Sequence, residues 1–127
     1  MRRPQRDIAE FRRAARRGRV AEALCRWHLR LRGWRILARD WRCPAGEIDI
    51  VARRGGTIAV IEVKARRDLE TAVFAINPRQ RRRVARAAEA FLASRPDLAQ
   101  LSIRFDVMLV GRRRLPHHLA GAWRSDE

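Results

Sequence analysis

Two acidic residues lie on neighbouring segments whose side chains alternate as in β-strands. Asp49 lies in GEIDIVARR (46–54) and Glu62 in TIAVIEVKA (57–65). The dipeptide Gly55-Gly56 joins the segments, and a glycine pair there favours a tight hairpin turn. A two-residue turn places Asp49 opposite Glu62 on one face of the hairpin, with Cβ atoms roughly 4.5–5.5 Å apart. Because like charges repel at that distance, the pair indicates a bound cation.

Carboxylate oxygens, a backbone carbonyl and several waters are the ligands of a typical magnesium site. We therefore expect Asp49 and Glu62 to bind Mg²⁺, with Mn²⁺ able to substitute. Lys64 lies on the same face, one strand repeat of ~7 Å beyond Glu62, where it can hold or deprotonate a water. This spacing predicts metal-assisted hydrolysis of a phosphodiester. Glu47, opposite Lys64 in the same register, is an accessory candidate.

The opposite face of the predicted hairpin is apolar. Its pairs are Ala52 with Ala59, Ile50 with Ile61, and Ile48 with Val63. A wholly apolar face of this length predicts burial against another element of the fold.

Lysine is almost absent from the chain. Of the 30 basic residues, Lys64 is the single lysine, and the others are arginine. An ammonium can lose its proton, whereas a guanidinium effectively cannot. The position of this one lysine therefore supports a chemical role for it.

The charge of the chain indicates a polyanionic partner. The chain has 127 residues, a net charge of +16 and a pI near 11.8. These values predict one domain that binds nucleic acid rather than a membrane. No apolar run approaches the ~20 residues of a membrane span, and the N-terminus lacks a secretory signal, so we expect a cytoplasmic protein. We divide the chain into a basic arm (1–17), a single domain (18–124) and a tail (125–127).

The arm leads into a predicted helix, Arg19 to Arg32, that ends at Gly33. The arm is either a frayed, solvated terminus or a nucleic-acid-binding segment. The apolar arc of the helix comprises Ala21, Leu24, Cys25, His28 and Leu29. Glu22, at the edge of that arc, is by itself either a solvated helix residue or a ligand. The two cysteines and the histidines fit no common zinc spacing, which favours free thiols.

Further elements follow in the order strand (34–41), central hairpin, loop (68–77), helix, strand (101–110) and a short edge strand or turn (115–123). Asn77-Pro78 predicts the start of the second helix, with asparagine as cap and proline at the first position. The expected buried face of this helix consists of Val84, Ala87, Ala88, Phe91 and Leu92. Asp106, in the strand after it, is interpreted as a structural ion-pair or hydrogen-bond partner.

Arginines crowd the first two turns of that second helix. The outward-facing ones, which either contact phosphates or form a solvated cationic face, are Arg79, Arg82, Arg83 and Arg86. Gln80 and Arg81 point toward the sheet and are accessory candidates. Arg66 and Arg67, after the hairpin, are further candidates for phosphate contacts.

Motifs along most of the chain resemble a known family. The order of elements, with Asp49 on the second strand and Glu62-x-Lys64 on the third, resembles the restriction-endonuclease-like PD-(D/E)XK nuclease core. The chain is still more similar to the YraN family, a small bacterial family of unassigned role. The residues that carry this resemblance are Glu22, GWRILARDWRC (33–43), GEIDIVAR (46–53), IEVKARR (61–67), NPRQRRR (77–83) and RFDV (104–107).

The resemblance implies an α/β restriction-endonuclease-like core, in which a mixed central sheet is flanked by helices. It also implies a metal-dependent nuclease site on Asp49 and Glu62, with Lys64 positioning or activating water. Glu22 matches the helix glutamate that often completes such a site, and it joins the catalytic candidates.

Three functions stay open at this point. The first is a metal-dependent endonuclease acting on nucleic acid, with DNA as the expected substrate. The second is a non-catalytic nucleic-acid-binding protein with the same fold, whose carboxylates are structural. The third is an RNA-associated basic protein. Because a fold hosts many functions, the choice depends on the geometry of the site.

Overall fold

The computed structural model describes residues 4–65, 77–111 and 115–124 of the chain. Its elements in chain order are α1 (Pro4–Leu31), β1 (Arg35–Cys43), β2 (Gly46–Arg54), β3 (Thr57–Ala65), α2 (Pro78–Ala93), a 3₁₀ turn (Pro96–Leu98), β4 (Ser102–Val110) and β5 (His117–Trp123). The predicted order of helix, three strands, helix and strand is confirmed, and β5 adds the expected edge strand.

The five strands form one mixed sheet in the order β1-β2-β3-β4-β5. Strands β3 and β4 run parallel, whereas the other three pairs are antiparallel. A parallel pair needs a crossover connection, and α2 lies in the connection between β3 and β4. The predicted α/β class with a mixed sheet is therefore confirmed.

Each face of the sheet packs against one helix. On the α1 face, the buried residues are Cys25, Leu29, Trp34, Ile50, Ala52, Ala59, Ile61 and Met108. On the α2 face, the buried core includes Ile48, Val51, Val60, Val84, Ala87, Phe91, Phe105, Val107 and Leu109. The side chains of β3 and β4 alternate between these two cores, as expected for strands that are covered on both faces.

The hairpin register is as predicted over its inner half. Strands β2 and β3 pair from Arg54–Thr57 to Ile50–Ile61. The predicted Ile48–Val63 pair is wrong: Ile48 is buried in the core on the α2 face, whereas Val63 packs against the core on the α1 face. Beyond Ile50, β2 continues its pairing with β1, and β3 continues its pairing with β4. The sheet therefore opens between β2 and β3, next to Asp49 and Glu62.

Helix α1 is longer than expected. It begins at Pro4, not at Arg19, so the segment assigned as an arm has a helical backbone from residue 4 onward. Apolar periodicity there is weak, but the segment is rich in arginine and alanine, which have high helix propensity. Leu24, expected in the buried arc, is 38% exposed.

Helix α2 begins as predicted. The Asn77 side chain accepts a hydrogen bond from the backbone N–H of Gln80 at 2.8 Å, and Pro78 occupies the first turn. Val84, Ala87, Ala88 and Phe91 are buried. Most of the loop expected at 68–77, together with Arg66 and Arg67, lies outside the described residues.

Within the described residues, no helix is both long enough and apolar enough to cross a lipid bilayer.

Candidate active site

A cleft of about 650 Å³ lies where β2 and β3 separate, beneath the first turns of α2. Its lining is acidic on the strands and mainly basic or polar on the helix. The residues are Glu47, Asp49 and Glu62 from the strands, and Asn77, Arg79, Gln80, Arg83 and Val84 from α2 and its cap. The predicted Asp49–Glu62 pair is not part of the observed ladder, which ends at Ile50–Ile61, but both residues line this one cleft.

Glu62 is held by two neighbours. Its Oε1 accepts a hydrogen bond from Gln80 Nε2 at 2.7 Å and lies 3.6 Å from Lys64 Nζ. The side chains of Lys64 and Glu62 are only 15% and 12% exposed, so this ion pair is largely shielded from water. The predicted placement of Lys64 beside Glu62 is confirmed, and Gln80 points toward the sheet as expected.

Asp49 occupies the point at which the strands part. Its Oδ2 accepts a hydrogen bond from the backbone N–H of Val63 at 2.8 Å. A regular antiparallel ladder would use the carbonyl of Ile48 for that N–H. The carboxylate replaces the missing ladder bond, which keeps the N–H satisfied while the cleft opens.

Two more carboxylates approach Asp49. Oxygen atoms of Glu22, Asp40 and Asp49 all lie within 4.8 Å of one another. The structure thus brings Glu22 of α1 to the site, as the family resemblance implies. Among the described residues, this is the one group of three or more acidic, histidine or cysteine side chains with metal-binding spacing.

Asp40 is the functional candidate that sequence reasoning missed. It lies in β1 between Arg39 and Trp41, which pair with Ile50 and Ile48, so it stands beside Asp49 in the neighbouring strand. Its φ of +47° places it in the left-handed region, where aspartate is tolerated better than most residues. An aspartate within a strand is itself unusual, and that was the available signal.

The pKa values of the carboxylates are raised. Burial is the largest cause for each, and the pKa is about 8 for Glu22, about 6 for Asp49 and about 7 for Glu62. For Glu22, a hydrogen bond with Asp40 and the charge of Asp49 add to the effect. For Glu62, the charge of Asp49 adds to it, and the charge of Lys64 opposes it. Burial is thus the main reason that these three carboxyl groups ionise less readily, and repulsion from neighbouring carboxylates adds to it.

Glu47 has a peripheral position. It lines the cleft, but it is exposed and lies 3.5 Å from Arg42, its pairing partner in β1. The predicted register opposite Lys64 does not extend this far, because the described pairing of β2 with β3 ends at Ile50–Ile61. Its negative charge raises the pKa of Asp49.

Some of the predicted basic residues of α2 lie at the cleft and others lie outside it. Arg79 and Arg83 line the cleft, whereas Arg82 and Arg86 are exposed outside its lining, and Arg81 is half-buried. Gly46 allows α2 to lie close to β2, since a Cβ there would lie 3.2 Å from the carbonyl oxygen of Arg83. The helix thus holds cations directly above the carboxylates.

The remaining sequence candidates have structural roles. Asp106 is fully buried and accepts hydrogen bonds from Arg104, His118 and the N–H of Gly121, which confirms its interpretation as a structural partner. Cys25 and Cys43 are free thiols. Burial raises the pKa of Cys25 to about 12, so this thiol is an unreactive core residue.

Comparison with known proteins identifies related chains. A model of the uncharacterised protein family UPF0102 matches residues 21–110. The chain is 50% identical over 117 residues to a UPF0102 protein of Paramagnetospirillum magneticum, covering 89% of this chain and 91% of that protein. It is 52% identical over 111 residues to a UPF0102 protein of Parvibaculum lavamentivorans, covering 87% of this chain and 84% of that protein. For a UPF0102 protein of Rhodopseudomonas palustris, the identity is 48% over 110 residues, covering 87% of this chain and 85% of that protein.

Proposed function

The chain belongs to the uncharacterised protein family UPF0102, and we propose that it is a metal-dependent endonuclease that hydrolyses phosphodiester bonds in nucleic acid, with DNA as its substrate. In this proposal the sheet and its two helices form a restriction-endonuclease-like PD-(D/E)XK core. The observation that carries the proposal is one cleft in which Asp49 and Glu62 face cationic residues of α2, with Lys64 paired to Glu62.

The donor set suits a hard divalent cation. The candidate ligands are carboxylates, which Mg²⁺ and Mn²⁺ prefer, and no thiol or imidazole lines the described cleft. Asp49 and Glu62 would hold the ion, and Glu22 and Asp40 would hold a water or a second ion. A cation would also relieve the repulsion that helps to raise the pKa values of Glu22, Asp49 and Glu62.

A bound Mg²⁺ would polarise the scissile phosphate and favour ionisation of a nearby water. Lys64 is placed to orient the attacking water or to accept its proton, because its Nζ lies 3.6 Å from Glu62 Oε1. Gln80 fixes the orientation of Glu62 through its hydrogen bond. Arg79 and Arg83, which also line the cleft, would contact phosphates of the bound strand.

The alternative is a non-catalytic nucleic-acid-binding protein of the same fold. Such a protein gains nothing from half-buried, mutually repelling carboxylates beneath the arginines that would bind phosphate, because these carboxylates would oppose a polyanion. The observed arrangement therefore favours the enzyme. An RNA-associated basic protein is a third candidate, which predicts equal or better RNA binding and no metal uptake.

The test is an incubation of the protein with plasmid, branched DNA and RNA in the presence of Mg²⁺ or Mn²⁺. We expect cleavage that depends on the metal, and a fall of about 10²-fold or more in Lys64→Ala and Asp49→Ala. Glu89→Gln is the matched control, because Glu89 is exposed on α2 and does not line the cleft.

Two results would contradict the proposal. Activity that survives both Lys64→Ala and Asp49→Ala would place the chemistry elsewhere. Absence of cleavage on every substrate, together with calorimetry that detects no binding of Mg²⁺ or Mn²⁺, would favour the non-catalytic binder.

A further inference from the structure

A second cavity, of about 370 Å³, lies between the end of α1, the β2–β3 turn and β5. Six basic side chains line it: His28, Arg32, Arg54, Arg104, His117 and His118. These include all three histidines of the chain. No aspartate or glutamate is among the described residues that line it.

Two of these arginines are held in place by a buried tryptophan. The Trp34 ring, 4% exposed, has the guanidinium of Arg54 at 4.5 Å and that of Arg104 at 5.4 Å from its centroid. Arg54 also donates to the carbonyl of Arg32 at 3.3 Å. Arg104 makes two hydrogen bonds to Asp106, at 2.8 and 2.9 Å. Their orientations are thus set before any ligand binds, which lowers the entropic cost of binding.

Asp106, which does not line the cavity, pairs with Arg104 and His118 but with neither Arg32 nor Arg54. Asp106 already accepts from Arg104, His118 and Gly121, so its oxygens are occupied. Arg32 and Arg54 have no such carboxylate among the cavity residues. The pKa of His28 is lowered, first by burial and then by the positive charges of Arg32 and His118. Burial is the main cause of this shift, and the two positive charges add to it.

The cavity is separate from the carboxylate cleft. His118 pairs with Met108, which is buried on the α1 face of the sheet, and its ring lies 6.1 Å from that of Trp34 on the same face. Glu62, in contrast, is bound by Gln80 of α2 on the opposite face. The two cavities share no lining residue.

We propose that this cavity binds a phosphate group. Guanidinium groups match phosphate oxygens in a two-pronged geometry, and imidazole N–H groups supply further donors. A bound oxyanion would compensate the positive charges of Arg32 and Arg54, which line the cavity without a carboxylate beside them there. The inference is independent of the proposed nuclease activity, because it concerns other residues that line a different cavity.

The direct test is NMR of the histidine ring protons of the full chain, titrated at pH 7 with inorganic phosphate, with a 5′-phosphorylated trinucleotide, and with the same trinucleotide lacking that phosphate. We expect saturable shifts of the His28, His117 and His118 signals. Shifts with inorganic phosphate assign the site to small phosphates or terminal phosphate groups. Shifts with both trinucleotides but not with inorganic phosphate assign it to phosphodiesters of a strand.

Variants then localise the binding. Arg32→Gln and His117→Gln alter exposed side chains of the cavity, so folding is expected to be retained, and together they should weaken binding by about tenfold or more. Arg30→Gln is the matched control, since Arg30 is exposed in the last turn of α1, two residues before Arg32, but does not line the cavity.

The proposal is overturned if none of the three probes shifts the histidine signals. It is equally overturned if the Arg32→Gln/His117→Gln protein binds phosphate as tightly as the unchanged protein, or if Arg30→Gln weakens binding to the same extent.

Discussion

At the scale of single residues, the fold brings several acidic side chains close together around Asp49. Asp49 has two relations: its Oδ2 satisfies the N–H of Val63, and its charge acts on both Glu22 and Glu62. Groups arranged in this way ionise with difficulty, and such shifts cluster at functional sites. The sequence identified Asp49, Glu62 and Lys64 from the local alternation of two strands around the Gly55-Gly56 turn, although the observed ladder ends just before Asp49 and Glu62. It missed Asp40, because that contact depends on how β1 aligns with β2.

The raised pKa values lead to a prediction on stability. A carboxyl group whose pKa is higher in the folded state than in the unfolded chain destabilises the fold as pH rises from the ordinary value to the raised one. For Glu62, this pH window extends from about 4.5 to about 7. For Glu22, it extends from about 4.5 to about 8. We expect the Tm of the metal-free protein to fall by about 5 °C or more across it.

Thermal unfolding between pH 4.5 and 8.5 measures this effect. Glu62→Gln should flatten the fall, and saturating Mg²⁺ should raise the Tm mainly above pH 6, where the carboxylates are ionised. Glu89→Gln should keep the slope of the unchanged protein. A Tm that rises steadily over the same range would show that these carboxylates are not destabilised by burial.

At the scale of elements, the N-terminal cap of α2 is linked to the candidate site through Gln80. The Asn77 cap orients the first turn through the N–H of Gln80, and the side chain of the same Gln80 holds Glu62. The cap and the buried face were predictable, because capping chemistry and helical periodicity are local properties. The contact of Gln80 with Glu62 required the packing of α2 on the sheet, and Gly46 permits the close approach.

This coupling predicts that the cap affects catalysis as well as stability. Asn77→Ala should lower the free energy of unfolding by about 1 kcal/mol. It should also reduce the rate of cleavage, because the first turn would no longer hold Gln80 firmly against Glu62. Denaturant unfolding and single-turnover cleavage measure the two effects.

Asn77→Ser supplies the control, since serine caps helices about as well as asparagine. It should restore both stability and rate. A loss of stability in Asn77→Ala without any change in rate would mean that the position of Gln80 does not depend on the cap.

At the scale of the whole molecule, a net charge of +16 surrounds a cleft whose strands are acidic. The exposed arginines of α2 place part of that positive charge next to the cleft, because they lie on the helix that covers it. Phosphate contacts dominate the affinity of nucleic-acid-binding proteins and release counterions. This distribution is consistent with a surface that binds a strand and presents one phosphate to the carboxylates.

A salt titration tests whether that surface binds the nucleic acid. With about four phosphate contacts, the affinity for DNA should fall about a hundredfold between 50 and 200 mM salt. Removing two of the contacts in Arg82→Gln/Arg86→Gln should lower the slope of log K against log[salt] by about 2. Fluorescence anisotropy with a labelled duplex measures this slope.

The matched control removes two exposed charges from α1, in Arg19→Gln/Arg30→Gln, and should leave the slope nearly unchanged. A flat salt response in the unchanged protein, or an equal loss of slope in both double variants, would argue against α2 as the binding surface.

The sequence by itself determined the local features of this protein: the hairpin and its inner register, the cap and buried face of α2, the order of the elements, and the pairing of Glu62 with Lys64. Each of these follows from residues close together in the chain, where turn chemistry and periodicity are sufficient. The tertiary structure alone decided that β2 and β3 separate at Asp49 and that Asp40 joins Glu22 there. It also decided that three histidines and three arginines line a cavity with Trp34 on the α1 face of the sheet. Those contacts join distant segments, and they depend on how α1, α2 and five strands pack together, which no local pattern encodes.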